Sequence, residues 1–135
     1  MARMLDVIGI VQRYPWGDRM PFNPPCNIWR GTFPHQPEAG WQPGTVPARS
    51  FAPNGHDLYN MAGNVWEWCE DWFSPQYHQA TAVANPLQGQ PTGQRASRGG
   101  SFLCHDSYCN RYRVGARSAN TPDSATGNIG FRVAR

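Results

Sequence analysis

The chain contains no lysine, and all 12 of its basic residues are arginines. Guanidinium groups match carboxylates bidentately, so this balance favours discrete ion pairs over a diffuse positive surface. Charge is scarce altogether, at 16% of residues with a formal net of +3 and no basic run. That excludes the electrostatic footprint of a nucleic-acid-binding protein. No stretch approaches the roughly 18 to 20 continuous apolar residues of a membrane helix, which excludes that kind of membrane anchorage. In the opening residues, Asp6 interrupts the apolar run and no convincing cleavage site follows. The segment is a weak signal peptide, and the cytoplasm is the expected compartment.

Helical periodicity is also lacking, since apolar residues nowhere hold a 3.6 repeat over three turns. What is present instead is 14 glycines, 13 prolines and 13% aromatics, a composition of short strands and long ordered loops. A length of 135 residues with 39% hydrophobic content suits one domain. The alternation around Trp66, Trp68 and Cys69 predicts a strand with both tryptophans on one face. Arg111 to Val114 alternates similarly, and Gly130 to Ala134 reads as a closing strand. Residues 74–94 read as a surface loop, and only 60–63 and 106–110 suggest single helical turns.

Cysteine is sparse, with four in the chain and no repeated zinc-type CxxC pattern. Cys26 and Cys69 read as buried singles. Cys104 and Cys109 stand apart because they lie five positions from each other among polar, aromatic and cationic residues. A helix sets i and i+5 well apart around its axis, and a strand sets them on opposite faces, so a turn must bring the sulfurs together. His105, Asp106 and Ser107 are turn-compatible. The pair is then suited to one soft metal ion, a disulfide or a redox couple. Arg98, Arg111, Arg113 and Arg117 are near in sequence and would raise the thiolate fraction.

The window from Arg98 through Gly99, Gly100, Ser101, Cys104, Tyr108, Cys109 and Arg113 to Asn128 and Arg132 resembles the C-terminal signature of formylglycine-generating enzymes, the sulfatase-modifying oxidases. Upstream matches follow in the right order: Arg13 to Asp18, Cys26 to Trp29, Gly55 to Leu58, and Tyr59 to Trp68 with its Gly-Asn-Val-Trp-Glu-Trp core. The core motif, the Arg-Gly-Gly-Ser at Arg98 and the Gly-Phe-Arg at Gly130 recur across the wider superfamily and mark the fold. The two cysteines with Ser101, Tyr108 and Asn128 mark the activity.

The resemblance implies an α+β domain of irregular C-type-lectin-like, sulfatase-modifying-factor fold with little regular secondary structure. It implies Cu(I) held by Cys104 and Cys109, with O2 as co-substrate, oxidising a cysteine in a Cys-x-Pro-x-Arg motif of a sulfatase-type polypeptide to Cα-formylglycine. Ser101 and Tyr108 would hydrogen-bond the oxygen or the substrate sulfur, and Trp66, His105 and Asn128 would shape the peptide groove. Ca2+ would be held by Asn60, Gly63, Val65 and Glu67, the alternative being that Glu67 pairs with an arginine. A second Ca2+ site at Asn27, Ile28 and Trp41 is expected to be weak, because Ala39 stands where the family has a carboxylate and only Glu38 is adjacent. Arg113 and Arg117 read as structural, paired with Asp123 or other carboxylates.

Residues 1–12 form a leader that does not match, and 13–135 resemble the C-terminal portion of the domain. Family members carry a substantial segment before Arg13, so an uncovered apolar face, self-association or a partner is expected. The alternatives are a non-catalytic binding or structural module of the same fold, and an inactive truncated fragment.

Overall fold

A computed structural model describes residues 12–77 and 87–133. Its named regular elements are six short strands: β1 (Gly31–Thr32), β2 (Gln36–Pro37), β3 (Trp66–Trp72), β4 (Arg95–Arg98), β5 (Ser118–Asn120) and β6 (Ile129–Gly130). The helical part of the α+β expectation has no counterpart among these elements. Short strands and long loops dominate, as the proline and glycine content requires.

The main sheet has the order β5-β4-β3-β6. β3 is its axis, where the aromatic alternation places it, and it pairs antiparallel with β4 and parallel with β6. Two extra residues bulge out of β3 between the pairs Trp68–Ser97 and Trp72–Arg95. Within the bulge, the buried Asp71 accepts the Gln88 amide at 2.8 Å, and just past it Trp72 donates to the Gln88 carbonyl at 2.9 Å. A loop residue thereby completes pairing that the bulge interrupts. β1 and β2 form a separate antiparallel hairpin. A Cβ on Gly31 would lie 2.4 Å from the Gln36 carbonyl oxygen, so only glycine closes this hairpin.

Two strand expectations need correction. Arg111 to Val114 is irregular, because Tyr112 turns into the core while the Val114 amide bonds the Arg13 carbonyl at 2.9 Å. The closing strand shortens to Ile129–Gly130, with Phe131 and Val133 exposed; Ala134 lies outside the described residues. Asp106 to Asn110 does contain one turn, with the Cys109 amide bonded to the His105 carbonyl at 2.7 Å. Residues 60–63 make no helical turn. Part of the 74–94 loop, residues 78–86, lies outside the described residues.

The core is small and rich in aromatic and sulfur groups: Tyr14, Cys26, Ile28, Ala62, Cys104 and Tyr112, with Trp16, Trp66 and Cys109 packed against it. Tyr14 stacks on Trp16 at 5.2 Å and on Tyr112 at 5.9 Å. These rings pin the 12–17 segment over the cysteine loop.

Candidate metal centre

The cysteine loop is built on the Arg98-Gly-Gly-Ser motif that leaves β4. Gly100 has φ of 71°, and a Cβ there would lie 3.2 Å from the Tyr112 amide nitrogen and 3.3 Å from the Cys104 sulfur. Glycine is needed both for the left-handed backbone and for the close approach of the thiol. The chain then folds back: the Cys104 amide bonds the Ser101 carbonyl at 2.9 Å, and the Ser101 amide points at Cys104 Sγ at 3.5 Å.

Cys104 is 2% exposed and Cys109 is half-buried; neither is in a disulfide. The two thiols lie near enough to each other for a hydrogen-bond interaction that splits their acidities. Donation from Cys104 is the largest influence on Cys109, and with the Arg111 amide and guanidinium it outweighs burial and lowers that thiol to about 7. The same bond, with burial next, pushes Cys104 far above the usual thiol range. The pair is a thiol–thiolate couple in which Cys109 deprotonates first.

Ser101 is fully buried, and its hydroxyl accepts from the Leu103 amide at 3.2 Å and from Asn128 Nδ2 at 3.1 Å. Asn128 takes a bond from Thr126 at 2.6 Å, and its carbonyl accepts the Trp66 amide at 2.8 Å. Cys104, Cys109, Ser101, Asn128 and Trp66 are therefore brought together from β3, β6 and the cysteine loop. His105 and Tyr108 sit on the loop's outer side. His105 Nδ1 lies 2.7 Å from Ser107 Oγ and 3.1 Å from Asp106, and Tyr108 is 76% exposed. Both rings stack on Phe33, a residue 70 or more positions upstream that no sequence motif flags.

The arginines depart from expectation. Among the described residues the arginine–carboxylate ion pair is Arg132 with Glu67. Arg113 bonds the Asn110 carbonyl at 2.9 Å, and Arg117 lies 4.0 Å over the Tyr77 ring, so neither meets Asp123. Arg98 bonds the Val114 carbonyl. Guanidinium groups here serve mainly as clamps on backbone oxygens.

At the expected Ca2+ site, Arg132 Nε donates to Glu67 Oε2 at 2.6 Å and Nη2 to Oε1, while Nη2 also reaches the Tyr59 and Asn60 carbonyls at 3.0 and 3.3 Å. The arginine pairing weighed against calcium is thus present. Asn60 Oδ1 is nonetheless buried without a hydrogen-bond partner, an acceptor that suits a hard cation. The site fits Ca2+ once one Glu67 oxygen is released by Arg132. At the second site, Asn27 is buried with Nδ2 on the Gly44 carbonyl at 2.8 Å and its own carbonyl on the Asn64 amide at 2.7 Å. Ile28 is in the core and Trp41 packs edge-on against Trp29. This set supplies no carboxylate and does not fit a hard cation well. The two thiols fit a soft ion by donor type and proximity; among the described residues no group of three or more His, Cys, Asp or Glu is placed to hold a metal.

A domain of short strands and long loops with a buried dithiol is the class that this geometry defines. The chain belongs to the family described as the sulfatase-modifying factor enzyme 1-like domain, which it matches over residues 9–135. It is 57% identical over 127 residues to a formylglycine-generating enzyme of Streptomyces coelicolor and 53% identical over 128 residues to that of Thermomonospora curvata. Those matches take in 91% and 90% of this chain but 40% and 42% of the relatives, so the chain spans about two-fifths of their length. It is also 39% identical to the "Inactive C-alpha-formylglycine-generating enzyme 2" of Mus musculus, over 91% of this chain and 36% of that one. Among solved structures, PvdO from Pseudomonas aeruginosa is similar with a TM-score of 0.57 at 28% identity, over 65% of this chain and 33% of that chain.

Proposed function

We propose that this chain carries the dithiol centre of a copper-dependent formylglycine-generating oxidase of C-type-lectin-like fold, acting on a cysteine in a Cys-x-Pro-x-Arg segment of sulfatase-type polypeptides. The observation that carries the reading is the pairing of Cys104 with Cys109 in one loop, with the Cys104 sulfur seated on Gly100 and the Ser101 amide. Cu(I) bound there would supply activation of O2. Cys104, held by the Ser101 amide, is the fixed sulfur donor. Cys109 is the more exposed and more acidic one, so it would be the thiolate donor on the accessible side. Ser101 accepts two hydrogen bonds and turns its own proton toward the Cys104 sulfur. Asn128 fixes that hydroxyl and, through its carbonyl, the Trp66 backbone. Ca2+ at Asn60, Gly63, Val65 and Glu67 would staple the loop that leads into β3, with one Glu67 oxygen remaining on Arg132.

The resemblance to inactive relatives favours a second reading, a non-catalytic module or fragment that keeps the centre without turnover. One experiment separates the two. The chain is reconstituted with Cu(I) and Ca2+ in air, given a Cys-x-Pro-x-Arg peptide, and aldehyde is followed by mass spectrometry beside Cys104→Ala and Cys109→Ala. Aldehyde that disappears in both variants establishes the oxidase. Stoichiometric Cu(I) binding without aldehyde supports the second reading, and no Cu(I) binding removes the first.

A further inference from the structure

The cysteine loop is gripped at both ends by one distant segment. At its start, the Trp29 amide donates to the Cys104 carbonyl at 3.0 Å. Four residues later, Phe33 at the tip of the β1–β2 hairpin stacks on Tyr108, the residue before Cys109, with centroids 5.1 Å apart and planes 15° apart. The same ring stacks on His105, the residue after Cys104, at 6.1 Å and 7°. Trp29 backs Phe33 edge-on at 5.3 Å, and Trp41 backs Trp29 at 5.3 Å. Gly31 makes the hairpin tight enough to present Phe33 at this height.

Inside the turn, the Tyr108 and Cys109 amides bond the His105 carbonyl at 3.1 and 2.7 Å and set the backbone, while its exposed side chains do little to orient the two ends. His105 Nδ1 is satisfied by Ser107 and Asp106, both exposed, and Tyr108 is largely solvent-facing. Short polar contacts at the surface hold a loop weakly, because water competes for each of them. The stacked faces are the contacts that couple both cysteines' neighbours to a single rigid ring.

Resting on the dithiol reading above, we infer that Phe33 is a positioning residue: it holds the flanking rings of the Cys104–Cys109 turn and so sets the separation and direction of the two sulfurs. Its flat face does this work, beyond its apolar volume. Leucine at this position fills comparable space but offers no face for His105 and Tyr108, whereas tyrosine keeps one.

The test compares Phe33→Leu and Phe33→Tyr with the unaltered chain. The first readout needs no copper: the equilibrium of the Cys104–Cys109 disulfide with glutathione, mapped by mass spectrometry, in which forming the S–S bond passes two electrons and two protons to one glutathione disulfide and gives two glutathione thiols. The second is Cu(I) affinity by competition with a chromophoric chelator, and thermal unfolding monitors the fold. Loss of two stacked contacts corresponds to about tenfold in each equilibrium for Phe33→Leu, with recovery in Phe33→Tyr and little change in unfolding temperature. An unchanged glutathione equilibrium in Phe33→Leu, or an equal loss in Phe33→Tyr, overturns the inference. Should Phe33→Leu fail to fold, Tyr108→Leu breaks the stack from its exposed side, and the same loss is expected. Absence of Cu(I) binding in the unaltered chain would sink the oxidase reading alone, because the glutathione equilibrium still decides the role of Phe33.

Discussion

At the scale of single residues, the centre works through asymmetry. Cys104 and Cys109 have the same chemistry, yet one is buried as a hydrogen donor and the other is left as the acceptor beside Arg111. A thiol lowered to about 7 is mostly protonated below that pH and mostly thiolate above it. Iodoacetamide should therefore modify Cys109 first, with a rate that rises through about pH 7, while Cys104 stays protected. Removing the donor in Cys104→Ala should move the Cys109 midpoint up toward the ordinary 9.0. Peptide mapping across pH checks both, and equal reactivity of the two cysteines would contradict the asymmetry. Gly100→Ala tests the floor. Its Cβ would crowd the Tyr112 amide and the Cys104 sulfur from a left-handed backbone, a strain of about 1–3 kcal/mol, so thermal unfolding should come several degrees earlier and Cu(I) affinity should fall with it.

At the scale of elements, β6 has two residues and little to hold it except the Glu67–Arg132 pair and its parallel register on β3. Arg132 is 39% exposed, so screening reduces the pair to about 1 kcal/mol. A double-mutant cycle of Glu67→Gln and Arg132→Gln should give a coupling of that size in chemical denaturation; additive effects would mean that the pair is decorative. Glu67 is also the charged ligand expected for Ca2+, so chelation should lower the unfolding temperature of the unaltered chain and leave Glu67→Gln unmoved. Calorimetry should count one Ca2+ per chain, because Asn27, Ile28 and Trp41 bring no carboxylate. How much of this was legible in the sequence depends on where the partners lie. β3 was readable, since its aromatic alternation is local. The crowding at Gly100 belongs to a motif whose glycines are visible in the sequence. Arg111 to Val114 misled because alternation there reflects one buried tyrosine in a loop, not a pleat. Phe33 was invisible because its partners are over 70 residues away and its hairpin has two-residue strands that carry no period.

At the scale of the whole molecule, large apolar side chains stand uncovered among the described residues. Among the described residues, three of the nine buried hydrophobic side chains are alanines, while Phe22, Phe131 and Val133 stand 103%, 76% and 82% exposed. Phe131 and Val133, just past the edge strand β6, and Phe22 elsewhere on the surface favour covering by another polypeptide. Sedimentation should accordingly show a mass that rises with concentration, together with enhanced fluorescence of an apolar dye. Replacing Phe22, Phe131 and Val133 with serine should return the chain to a monomer and abolish the dye signal. A monomer at every concentration with no dye signal would show that the exposed side chains are tolerated singly. If peptide turnover per chain rises with the same concentration dependence as the mass, the covering partner also completes the groove around the dithiol; turnover that is flat across the transition would assign the association to surface burial alone.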